Sequence, residues 1–145
     1  MYQKDFILRM IEMMAEVIAI FLGFIKKGDT EQAARCLEKA YRDILKQDAA
    51  FFTRIPKDKL TSKLIEEHNY TNDDLKILSE LFFAEGELHK ARNDKKSALG
   101  FYQKALLLFE FVEQEAATFS MERENRGKLL KVRINEMSNR NANAH

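Results

Sequence analysis

Apolar residues recur at intervals of three and four along most of the chain, the spacing that places them on one face of a helix. In the first segment Phe6, Ile7, Met10, Ile11, Met14, Val17, Ile18, Phe21, Leu22 and Ile25 form such a stripe. Its two halves differ. From Lys4 to Glu16 the opposite face is charged, whereas from Val17 to Ile25 the helix is apolar nearly all round. That half must be covered on several sides or be exposed for a purpose. Lys26 and Lys27 suit a helix C-terminus, and Gly28 supplies the left-handed residue that ends one. Asp29 with Gln32 offers a cap for a second helix, with Thr30 as a competing cap. That helix carries Ala33, Cys36, Leu37, Ala40, Tyr41 and Ile44, and its small residues allow close approach of the first helix across the Gly28 turn.

Beyond Leu45 the period weakens. Phe51, Phe52 and Ile55 either prolong the second helix or make a separate turn before Pro56, which disfavours helical angles at Ile55 and itself suits a helix start. Leu60, Leu64 and Ile65 mark a short helix, and residues 68–74 read as a loop in which Thr71 and Asp74 are spaced for reciprocal capping. The next helix shows Leu75, Leu78, Leu81, Phe82 and His89 with Gly86 inside it. An internal glycine costs about 1 kcal/mol relative to alanine, so close backbone packing is the expected compensation. After Asn93 and Asp94, with Asp94 or Ser97 as cap, Ala98, Phe101, Tyr102, Ala105, Leu106, Leu108, Phe109 and Val112 define another helix. The last segment, from about Ala117, has a thinner stripe of Phe119, Met121, Leu130, Ile134 and Met137, interrupted at Asn125, Arg126 and Gly127. These elements predict an all-α chain of about six helices in one domain over 1–137, followed by a polar, disordered tail over 138–145.

Composition narrows this picture further. The 145 residues include only five glycines and one proline, which disfavours a turn-rich β fold. Basic and acidic residues number 24 and 23, so no long-range field draws in nucleic acid, and no nucleic-acid partner is expected. Cys36 is the sole cysteine, which removes an intrachain disulfide and a cysteine-based zinc site and makes a reducing, cytoplasmic setting the simpler expectation. The Val17–Ile25 run is far below the roughly 20 residues a transmembrane helix needs, so no transmembrane segment is predicted. With Asp5 before the apolar run, Glu12 and Glu16 within it, and no small-residue cleavage site after it, no secretory signal is expected.

Phe82, Gly86 and His89, followed by Ala98, Tyr102 and Ala105, resemble a tetratricopeptide repeat, in which small residues let two antiparallel helices approach while large rings fill the gap. Glu85 stands where that motif has leucine, and the closing proline is absent near Glu110. Ala33, Leu37 and Ala40 echo the spacing 65 residues earlier, and Pro56 spoils a unit between. The resemblance implies an irregular stack of antiparallel helical hairpins with an interaction groove shaped by Glu85, Lys90, Gln103 and Lys104. The opening from Met1 to Ile11, Met-Tyr-Gln-Lys-Asp-Phe-Ile-Leu-Arg-Met-Ile, is similar to that of a family of small uncharacterised bacterial proteins. That similarity implies an all-helical bacterial cytoplasmic protein and no particular activity.

Candidate chemistry is sparse. Glu85 and His89 lie four apart on one helical face, and His68 adjoins a loop, a minimal basis for a metal-dependent enzyme using His68 and His89 with nearby carboxylates. No further ligands stand at recognisable spacing, and a di-iron bundle would want Glu-x-x-His, which neither histidine completes. Glu80, Glu85 and Glu87 therefore read as solvated helix faces, as do Arg123, Arg126, Lys128, Lys131, Arg133 and Arg140 in the last helix. Cys36 reads as a small buried hydrophobe. No catalytic, metal or cofactor role is assigned to any residue. The main expectation is a protein-protein interaction or oligomerising adaptor module, binding a protein or peptide or a second copy of itself. Val17, Phe21 and Phe24 are its candidate oligomer surface, and peripheral membrane association through the first helix is a further alternative.

Overall fold

A computed structural model describes residues 2–115 and 121–142, with side-chain surroundings for 8–114 and 124–138. The described residues are all helical or connecting turns, with no strand among them. In chain order they form α1 (Tyr2–Lys26), α2 (Thr30–Leu45), α3 (Ala49–Thr53), a 3-10 turn (Lys57–Lys59), α4 (Leu60–Ser62) continuing as a π turn (Lys63–Glu67), α5 (Asn72–Ala91), α6 (Lys95–Glu115) and α7 (Met121–Ala142). The chain gathers into two compact units, Met1–Pro56 and Lys57–His145. Helix α7 runs to Ala142, so the tail expected from 138 begins as helix, and residues 143–145 lie outside the described residues. The stripe members Phe6 and Ile7, with Ala117, Phe119 and Met121, lie outside the residues whose side chains are described.

In the first unit α1 and α2 form a hairpin. Gly28 takes φ 78, and the amides of Gly28 and Asp29 donate to the carbonyls of Ile25 and Phe24, closing α1 through its left-handed glycine. Asp29, rather than Thr30, caps α2 by accepting from the Gln32 amide at 3.1 Å. On α2 the stripe of Ala33, Leu37, Ala40, Tyr41 and Ile44 is buried. Lys46, at φ 62, turns the chain, and Asp48 caps the separate helix α3, whose buried Phe52 stacks on Tyr41 with centroids 5.7 Å apart.

The second unit is built on α5, α6 and α7. Thr71 and Asp74 form the expected reciprocal cap: each side chain accepts from the other residue's amide, at 3.2 Å and 2.9 Å. Asp94 caps α6 through the Ser97 amide. Helices α5 and α6 run antiparallel, and Gly86 is what lets them close. A Cβ there would stand 2.4 Å from Cε1 of Tyr102, far inside any tolerated contact. Ser79, buried between them, donates from its hydroxyl to the Ala105 carbonyl at 2.8 Å. Gly127, which reads as an interruption in the sequence, repeats the device on α7: a Cβ there would meet the Phe109 ring at 2.9 Å.

Candidate interaction surface

Two features of the second unit replace expectations drawn from the sequence. Four of the charges expected on solvated faces, Glu80, Glu87, Arg126 and Arg133, are interhelical clamps, whereas Lys128 and Lys131 are exposed and the side chains of Arg123 and Arg140 lie outside the described residues. Arg126 Nε lies 3.2 Å from Glu80 Oε2, with its guanidinium over the Phe83 ring at 4.2 Å. Seven residues on, Arg133 Nε donates to Glu87 Oε1 at 2.8 Å, and the Tyr102 hydroxyl donates to the same oxygen at 2.6 Å. Because Arg126 and Arg133 repeat at the interval of Glu80 and Glu87, α5 and α7 are parallel and in register over two turns. Burial, reinforced by the Glu87 hydrogen bond, holds the Tyr102 phenol far above its ordinary range. Periodicity does not reveal these pairs, because a charge that meets a partner helix looks the same in sequence as one that meets water.

The four expected groove residues, Glu85, Lys90, Gln103 and Lys104, sit in different surroundings. Glu85 is nearly buried, its carboxylate 3.6 Å from His89 Nε2, and Lys104 lies 5.8 Å above the rings of Phe82 and Phe101. Gln103 alone of the four lines an open groove of about 540 Å³, together with Lys57, Thr61, Leu106, Phe111 and Ile134. His89 stacks on Phe101 at 5.3 Å and is flanked by Glu85 and Asp94, whose carboxyl is held below the usual range chiefly by its hydrogen bonding with Ser97. His68 is exposed beside Tyr70. Among the described residues no three His, Cys, Asp or Glu side chains gather closely enough to hold a metal ion.

The largest uncovered apolar area described is on α1. Leu8, Ile11, Met13, Ile20 and Leu22 are 36–56% exposed, which is unusual for side chains of this size on one helix. Leu8, Ile11 and Leu22 share one side, whereas Met13 and Ile20 lie on the opposite side, beside α2. Leu8, Ile11, Ala15, Ile18, Leu22 and Ile25 recur at alternating intervals of three and four through the helix, all exposed or half-exposed. This is a heptad seam. Helix α2 meets another side of α1, where Met13, Val17, Ile20 and Phe24 face Cys36, Ala40 and Ile44 across a shallow groove of about 430 Å³. The Cys36 thiol donates to the Val17 carbonyl at 3.8 Å, and burial pushes its pKa up, which suits a packed thiol rather than a nucleophile. Met10, Met14 and Phe21 are buried.

The candidate oligomer surface is thereby corrected. Phe21 is fully buried, and Val17 and Phe24 are half-buried beside α2. Leu8, Ile11 and Leu22 hold the open side instead. The reason is rotational: the Val17–Ile25 run is apolar nearly all round, so its sequence does not say which side the protein covers. No described helix is long and apolar enough to cross a membrane. No protein-family model, curated protein or solved structure matches this chain.

Proposed function

We propose that this protein is an interaction module that acts by holding another polypeptide. The observation that carries this reading is the exposed apolar side of α1, with Leu8, Ile11 and Leu22 open to solvent although burying each would be worth about 1–2 kcal/mol. Exposure on this scale is retained where a partner covers it. The hairpin of α5 and α6, closed at Gly86 by the Tyr102 ring, supports a tetratricopeptide-like reading of that segment, a scaffold whose usual use is protein binding. A metal-dependent role for His68 and His89 gains no support from their surroundings: Glu85 and Asp94 flank His89, but among the described residues no three such side chains gather closely enough to hold a metal ion. Membrane-surface binding draws on the same apolar residues. It is the weaker reading, because the polar face of this helix carries Glu12 and Glu16 beside Arg9, a poor match to an anionic bilayer.

Affinity capture from native extract tests the proposal, comparing the wild-type chain with Ile11→Ser/Leu22→Ser and adding a co-sedimentation arm with anionic vesicles. A polypeptide retained by the wild type and lost with the variant, with no vesicle binding, is the expected result. Vesicle binding abolished by the same substitutions would replace the module reading with the membrane one.

A further inference from the structure

We infer that the partner of the α1 seam is a second copy of this chain, paired antiparallel about a two-fold axis through the middle of α1. This rests on the reading of α1 as the assembling element and names what it assembles with. Three observations carry it. First, the seam keeps strict heptad spacing from Leu8 to Ile25, a length of about 26 Å. A globular core tolerates looser spacing, whereas a regular alternation of three and four is what another helix with the same alternation accepts as knobs in holes. Second, no seam position is charged, so the stripe meets its own copy without opposing like charges. Third, the two edges of the seam differ in a way that selects the orientation.

The residue following each of Ile11, Ile18 and Ile25 is Glu12, Ala19 and Lys26, and the residue preceding Ala15 and Leu22 is Met14 and Phe21. One edge is thus exposed and carries the charges of Glu12 and Lys26 on either side of the small Ala19, and the other is apolar and buried. Parallel pairing sets each edge against the opposite edge of the partner, pressing Glu12 and Lys26 toward Met14 and Phe21 and stripping water from charges with no counter-ion. Antiparallel pairing sets like edge on like edge, leaving Glu12 and Lys26 along a hydrated rim. In full overlap Leu8 then meets Ile25 of the second copy, Ile11 meets Leu22, and the small Ala15 meets Ile18 at the centre, where the helices come closest. An interface of one helix pair lies near the lower end of the stable range, roughly 1,200 Å² in total. Self-association in the micromolar range follows.

Sedimentation of the full chain between 1 and 100 μM, joined to cysteine cross-linking in a Cys36→Ser background, tests this. The wild type is expected to pass from monomer to dimer over that range, which requires no variant to fold. Leu8→Cys protein mixed with Ile25→Cys protein is expected to give a disulfide-linked dimer on mild oxidation, and Leu8→Cys alone to give none. A chain that stays monomeric at 100 μM overturns the inference, as does cross-linking by Leu8→Cys alone, which reports parallel pairing. A monomer that still captures a different polypeptide, lost on Ile11→Ser/Leu22→Ser, leaves the module reading standing while self-pairing falls. A monomer whose capture ignores those substitutions removes both.

Discussion

Helices α1 and α5 are both rich in large apolar residues, and they are used in opposite ways. Of the described side chains of α1, three apolar ones are buried, Met10, Met14 and Phe21, whereas α5 buries eleven residues including Ser79 and Glu85. Apolar content does not separate them. What does is the fit of the neighbours. Gly86 admits the Tyr102 ring, Ser79 spends its hydroxyl on the Ala105 carbonyl, and Glu80 and Glu87 meet arginines from α7, so nearly the whole circumference of α5 has partners. Helix α1 has α2 on one side and leaves its heptad seam open. Complementarity, more than hydrophobicity, decides which helix is interior.

The sharpest way to break this contrast is Gly86→Ala. With Tyr102 held by Glu87, the added methyl has nowhere to go, and a loss of about 3 kcal/mol is expected as overpacking, read as a fall in thermal midpoint of several degrees or more. Arg133→Ala comes next. It leaves the Glu87 carboxylate, whose side chain is 12% exposed, with only the Tyr102 hydroxyl, for an expected loss of about 2 kcal/mol in chemical denaturation. Gly127→Ala is milder, about 1 kcal/mol, because the Phe109 edge can yield a little.

The Tyr102 phenol adds a pH test. Its folded pKa is raised, so its contribution is fully present below the unfolded value near 10 and declines as pH rises above it. Lys104, whose pKa burial lowers, works in the opposite sense, adding stability as pH rises toward the unfolded value near 10.4. Tyr102→Phe is therefore expected to flatten the loss of stability measured between pH 10 and 11. At the small end, Leu8→Ser on the exposed side of α1 should move stability by no more than about 0.5 kcal/mol. A large loss there would mean that α1 is already covered, and the contrast with α5 would collapse.

Much of the second unit was legible in the sequence for local reasons. Capping at Thr71, Asp74 and Asp94 depends on residues three apart, and the need for a close neighbour at Gly86 follows from the cost of glycine in a helix. The clamps at Glu80 and Glu87 were not legible, since each joins residues 46 positions apart. Gly127 was misread for a related reason: a glycine in a polar stretch looks like a breaker until the ring of Phe109 is seen against it. On α1 the stripe was visible, but its phase was not. When nearly every side is apolar, hydrophobicity no longer points inward, and Phe21, expected at the oligomer surface, is buried.

The sevenfold interval shared by the two clamps leaves an ambiguity that another feature resolves. Sliding α7 by two turns would set Arg133 on Glu80, so charge alone does not define where the last helix comes to rest. That slide would also carry Ile134 into the place of Gly127, against the Phe109 ring, where even a single methyl is crowded. The missing side chain thus acts as a key, admitting one alignment of the helix and refusing its near-duplicate.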